Sequence, residues 1–133
     1  MDSSAYLALL DRDDEHHAEA AAILSHLARE RYRQFTTNVL IIESHALLLS
    51  SLGSDQARSF LQTMGASNTT IIRVRAADED AAKRIILQYI DKDFSFADAI
   101  SFSIMQRLGI RLAFTFDQHF SQYGFTIATP EQI

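Results

Sequence analysis

Three carboxylates sit among apolar neighbours where a charge is expensive. Glu43 lies within Val-Leu-Ile-Ile-Glu-Ser-His-Ala-Leu, Asp98 within Phe-Ser-Phe-Ala-Asp-Ala-Ile-Ser-Phe, and Asp117 directly after Leu-Ala-Phe-Thr-Phe. An ionised carboxylate in such a setting needs compensation. Each has a local explanation. Ser95-x-x-Asp98 has the spacing of a capping box, Asp117 can open a turn, Glu43 can meet an arginine, and Asp2 can be a plain helix N-cap. As a set they point elsewhere. Carboxylates that converge on one crevice repel unless a hard cation joins them. Oxygen donors with no cysteine favour magnesium or manganese over zinc. The histidines agree. His16, His17, His26, His45 and His119 contain no i, i+4 pair, and adjacent His16 and His17 would point about 100° apart on a helix. His119, two residues past Asp117, is placed to orient a ligand or contact a phosphate. No Gly-x-Ser-x-Gly elbow supports Ser3 or Ser4 as a nucleophile, and no Gly-rich phosphate loop is present.

The elements that must position these acids follow from periodicity. Asp2-Ser3-Ser4 can start a short helix through about Leu10, and residues 14–31 carry an apolar stripe of Ala20, Ile23, Leu24, Leu27 and Ala28. Phe35-Thr36-Thr37 reads as a strand, after which Asn38 can cap a helix ended by Gly53. Ser54 opens another helix, with Ala57, Phe60, Leu61 and Met64 on one face. Residues 70–74 form a β-branched strand, residues 78–90 a helix, and Ser95 to Gly109 bracket a further helix. Residues 112–116 and 125–128 are the last strand candidates. Strands separated by helices predict an α/β domain with a parallel sheet covered on both faces, whose ligands sit beyond the carboxyl ends of the strands.

Composition bounds the rest. The 133 residues, 47% hydrophobic, fit one domain (residues 1–133) with a core large enough to need no staples. The absence of Cys excludes a disulfide scaffold. No apolar run is long enough to span a membrane, and the N-terminus lacks the basic start of a signal peptide, so a cytoplasmic location is expected. A net charge of −5 excludes a grip on nucleic acid through the overall field, though not through a local patch or a metal. Arginine dominates the basic residues, the lysines being Lys83 and Lys92 alone.

Over nearly its full length the chain resembles the PIN-domain ribonucleases, of the kind that serve as toxins of type II toxin–antitoxin pairs. The resemblance is carried by Asp2-Ser-Ser-Ala5 with Leu7 to Leu10, by residues 38–49 with Glu43, by Phe94-Ser-Phe-Ala-Asp98-Ala99, and by Thr115-Phe-Asp117-Gln-His-Phe120. No single motif is diagnostic; their order is. The resemblance implies a three-layer α/β fold, its parallel sheet ordered 3-2-1-4-5 and flanked by helices. It implies a metal site and catalytic quartet of Asp2, Glu43, Asp98 and Asp117, with Ser4, Thr115 and His119 in support. It further implies an Mg2+- or Mn2+-dependent endoribonuclease in which water attacks RNA, leaving a 5′-phosphate. The expected partners are an antitoxin protein and a second copy in a homodimer. One departure stands out: the family's apolar first strand is represented by Met1 alone. The expectation is therefore a truncated central strand, with an upstream start or another segment filling its place, and weak metal binding. Two other readings stay open: a catalytically silent PIN scaffold that binds RNA or a protein, and a small-molecule-binding α/β domain with an acidic rim.

Overall fold

The computed structural model describes residues 1–130. Seven helices and four short strands alternate as α1 (Ser3–Leu10), α2 (His17–Arg29), β1 (Phe35–Thr37), α3 (Asn38–Leu52), α4 (Ser54–Ala66), β2 (Thr70–Ile72), α5 (Ala76–Gln88), α6 (Phe96–Leu108), β3 (Leu112–Ala113), α7 (His119–Tyr123) and β4 (Thr126–Ile127). β1 pairs with β2 and β3 with β4, both parallel, as two separate ribbons.

Between the ribbons runs the backbone of the first two residues. The Met1 amine donates to the Phe35 carbonyl at 2.7 Å, and the Asp2 amide donates to the Phe114 carbonyl at 3.0 Å. The order of backbone segments is therefore β2-β1-(Met1–Asp2)-β3-β4, which matches the expected 3-2-1-4-5 arrangement with Met1–Asp2 in the central place. Beside Met1 and Asp2 lies a largely apolar cavity of about 290 Å³, lined by residues including Leu27, Phe35, Ile104, Ala113 and Phe114. Burial of the Met1 amine lowers its pKa from 8.0 to about 6.

Helices cover both faces. Successive strand residues point to opposite sides. Ala113 and Ile127 pack with α5, α6 and Phe120, whereas Phe114 and Ala128 pack with α1 and α2. A third cluster joins Tyr6 to Leu48, Ala57, Phe60 and Met64 of α3 and α4. The largest fully buried side chain, Phe102, stacks on Tyr123 at 4.6 Å and meets Phe94 and Phe120 edge-on.

Local differences from the sequence reading have identifiable causes. α2 begins at His17, because residues 11–16 are taken up by turns in which Asp11 and Asp14 accept backbone amides. His16 stacks on Phe116 at 4.4 Å and the His17 ring bonds the Ala8 carbonyl at 2.8 Å, so the two rings serve packing and turn geometry. α3 is capped by Thr37, whose hydroxyl accepts the Leu40 amide, while Asn38 reaches across to accept the amide of Val74. Leu61 is 44% exposed and lies off the buried face of α4. β2, β3 and β4 are shorter than the apolar runs that contain them. Asp78 accepts the Arg75 amide at the start of α5 at 3.0 Å and takes a bidentate contact from Arg107 at 2.9 and 3.1 Å, tying α5 to α6.

Candidate active site and metal centre

Asp2 stands at the N-cap of α1, yet its side chain makes no cap hydrogen bond. Two hydroxyls claim it instead. Thr115 Oγ1 donates to Asp2 Oδ2 at 2.8 Å and Ser4 Oγ donates to the same oxygen at 3.0 Å. These hydroxyls also accept the amides of Asp117 and Phe116 respectively, at 3.0 and 2.9 Å. The strand end after β3 and the start of α1 are thereby stitched around one buried carboxylate, 6% exposed.

Glu43 projects from the first half of α3, and Ser3 Oγ donates to its Oε1 at 2.8 Å. Ser3 is a site residue that sequence reasoning missed. Its one signal was adjacency to Asp2, which also fits an ordinary helix start. Asp98 lies at the third position of α6. The capping box holds it: Ser95 Oγ accepts the Asp98 amide at 3.0 Å, and Asp98 Oδ2 accepts the Ser95 amide at 3.2 Å. Capping and site roles thus coexist in one side chain. Asp117 begins the turn into α7, its Oδ1 accepting the His119 amide at 2.9 Å. His119 Nδ1 lies 2.9 Å from Asp98 Oδ2 and 3.1 Å from Asp117 Oδ1. Ionised carboxylates can only accept, so in this arrangement Nδ1 carries the hydrogen.

The acids feel one another. Glu43 is an exposed residue rather than one enclosed by its apolar neighbours, but partial desolvation of its carboxyl still raises it above its ordinary range, the Ser3 hydroxyl pulls it back, and the charges of Asp2, Asp98 and Asp117 push it further up. Burial likewise raises Asp98, against the Ser95 amide and His119, with Asp117 and Asp2 adding to the rise. Four carboxylates from α1, α3, α6 and the strand end after β3 therefore share one electrostatic neighbourhood. A divalent cation would offset the repulsion that adds to desolvation at Glu43 and Asp98, and the donor set, oxygens with one imidazole and no thiolate, suits a hard or borderline ion. The residues fit such an ion. Asp98, Asp117 and His119 each offer a ligand atom, all within 4.8 Å of one another.

A sheet with a central position between two parallel ribbons, helices on both faces and acids gathered at the strand ends defines the class. The chain belongs to the PIN-domain family, whose family model matches residues 1–126. It is 30% identical over 134 residues, covering 98% of either chain, to proteins named 23S rRNA-specific endonuclease VapC20 from two Mycobacterium tuberculosis strains, CDC 1551 / Oshkosh and ATCC 25618 / H37Rv. It is also similar to the crystal structure of Mycobacterium tuberculosis VapC20, described as a sarcin-ricin loop cleaving toxin. That likeness has a TM-score of 0.84 and 28% identity and covers 94% of each chain. Among the described residues no helix is long and apolar enough to cross a membrane.

Proposed function

We propose that this chain is a divalent-metal-dependent endoribonuclease of the toxin type, hydrolysing phosphodiester bonds in structured RNA. The observation that carries the reading is geometric: Asp98, Asp117 and His119 bring ligand atoms within 4.8 Å of one another, with the carboxylates of Asp2 and Glu43 in the same electrostatic neighbourhood. The similarity to endonucleases named for 23S rRNA supports a ribosomal RNA loop as the substrate class.

Asp2, Glu43, Asp98 and Asp117 would hold Mg2+ or Mn2+. When bound, such an ion supplies positive charge to the scissile phosphate and lowers the pKa of a water molecule. The chain's own residues set the geometry. Ser4 and Thr115 fix the Asp2 carboxylate, Ser3 fixes Glu43, and His119 Nδ1 lies against both Asp98 and Asp117. Since water attacks, the 2′-hydroxyl is not required and the products carry a 5′-phosphate. A homodimer, an antitoxin partner that masks the site, and a cytoplasmic location complete the reading.

The test is digestion of a ribosomal stem-loop with and without EDTA, by the wild type and by Asp98→Asn. Cleavage that needs the metal, is lost in the variant and leaves 5′-phosphate ends supports the reading. A 2′,3′-cyclic phosphate product, or cleavage indifferent to EDTA, refutes it. Tight RNA binding with no cleavage under any metal favours a catalytically silent scaffold.

A further inference from the structure

The ring of His119 stands where an ion shared by two of the acids would have to be touched. Its Nδ1 is 2.9 Å from Asp98 Oδ2 and 3.1 Å from Asp117 Oδ1. In an octahedral shell with ligands about 2.1 Å from the ion, neighbouring donors lie about 3.0 Å apart. The two separations are therefore those of adjacent ligands around a small divalent cation. The ring is not free to drift. Its backbone amide is held by Asp117 Oδ1, its face or edge meets Phe94 at 5.6 Å, and its side chain is 23% exposed.

We propose that His119 Nδ1 is a direct nitrogen ligand of the divalent ion beside Asp98 and Asp117, and that this nitrogen makes the site favour Mn2+ over Mg2+. The inference rests on the metal-dependent reading above. Binding asks only for a change of tautomer: the hydrogen leaves Nδ1, the neutral ring carries one on Nε2, and the freed lone pair faces the ion. Imidazole is a borderline donor that suits first-row transition ions, whereas Mg2+ keeps hard oxygen ligands and sheds water reluctantly. With carboxylates alone the site would have little basis for choosing between the two. The opposing account makes His119 a spacer, an N–H that parts two carboxylates and never meets the ion.

Electron spin-echo spectroscopy of the full chain with Mn2+ separates these accounts. The expected result is nitrogen modulation that changes on labelling with 15N-histidine, and its loss in His119→Gln. Titration calorimetry should show Mn2+ affinity falling about tenfold or more in His119→Gln while Mg2+ affinity stays within about twofold. Bound Mn2+ without histidine nitrogen coupling overturns the inference, as does equal weakening of both ions in the variant. The labelled wild-type measurement needs no variant to fold. Failure of the wild type to bind Mn2+ at all, with RNA left uncut, removes the metal-dependent reading itself.

Discussion

Replacing Thr115 by valine asks whether one buried hydroxyl holds two of the four acids. Thr115 is 2% exposed, so the near-isosteric change leaves the packing in place and removes only its chemistry. Two bonds go: the donation to Asp2 Oδ2 at 2.8 Å and the acceptance of the Asp117 amide at 3.0 Å. A hydrogen bond to a charged group contributes about 1.5–3 kcal/mol, and a buried amide left without a partner costs about 1–3 kcal/mol. Ser4 keeps its own bond to Asp2 at 3.0 Å and offsets part of the loss. The net destabilisation should be about 2–4 kcal/mol. With an unfolding entropy of about 2.1 cal/mol/K per residue over 133 residues, the thermal midpoint should fall by roughly 7–14 °C. Cleavage measured well below that midpoint should fall by about 100-fold or more, because both Asp2 and Asp117 lose their register. Thr115→Ser restores the hydroxyl and should recover most of both effects. A valine variant that melts within about 2 °C of wild type and cuts RNA at the same rate would refute the reasoning.

Three further outcomes are expected. Arg107→Ala leaves Asp78, 4% exposed, with the Arg75 amide and charge but without its bidentate partner; a loss of about 2–3 kcal/mol should appear in urea unfolding, discounted because the Arg107 side chain is 32% exposed. Burial works to raise Asp78, but Arg107 and Arg75 outweigh it and hold the carboxyl below its ordinary range. The wild-type advantage should therefore persist at neutral pH and disappear as pH falls below about 4, where the variant's acid unfolding becomes comparable. Glu43 and Asp98 have the opposite sign, since their folded pKa values are raised. In EDTA their contribution is full in acid and lost as pH rises through those values. Glu43→Gln should thus melt above the wild type at pH 7, and excess Mn2+ should erase or reverse the difference; a variant that melts lower in EDTA contradicts the electrostatic account. The Met1 amine, lowered to about 6, should make the chain gain stability between pH 6 and 8, and acetylating that amine should flatten this slope in a set of thermal melts.

What was legible in the sequence was whatever is written locally. α6 announces itself with Ser95 at one end and Gly109 at the other, the glycine adopting φ 69°, the left-handed conformation a side chain resists. The buried face of α2 shows in the spacing of Ala20, Ile23 and Leu27. The strands were harder to bound. Each spans two or three residues, too few for alternation to mark its ends. The site was legible in its acids and not in what holds them. Asp2 reads as a cap because Ser3 and Ser4 follow it, and only the fold brings Thr115, 113 residues away, to turn its carboxylate aside. Thr37 displaced Asn38 as a cap for a similar reason: Asn38 had a partner on a distant strand end. The link from Ser3 to Glu43 crosses 40 residues and leaves no mark in the local spacing of either helix.

The gap between β1 and β3 bears on how this protein should be handled. Met1 and Asp2 are tied on either side, to the carbonyls of Phe35 and Phe114, beside a cavity lined from both ribbons, so any handle fused ahead of Met1 pulls directly on those two bonds. The first acid of the site, Asp2, would move with them. Cleavage rates and metal affinities taken from amino-tagged material would then describe the fusion.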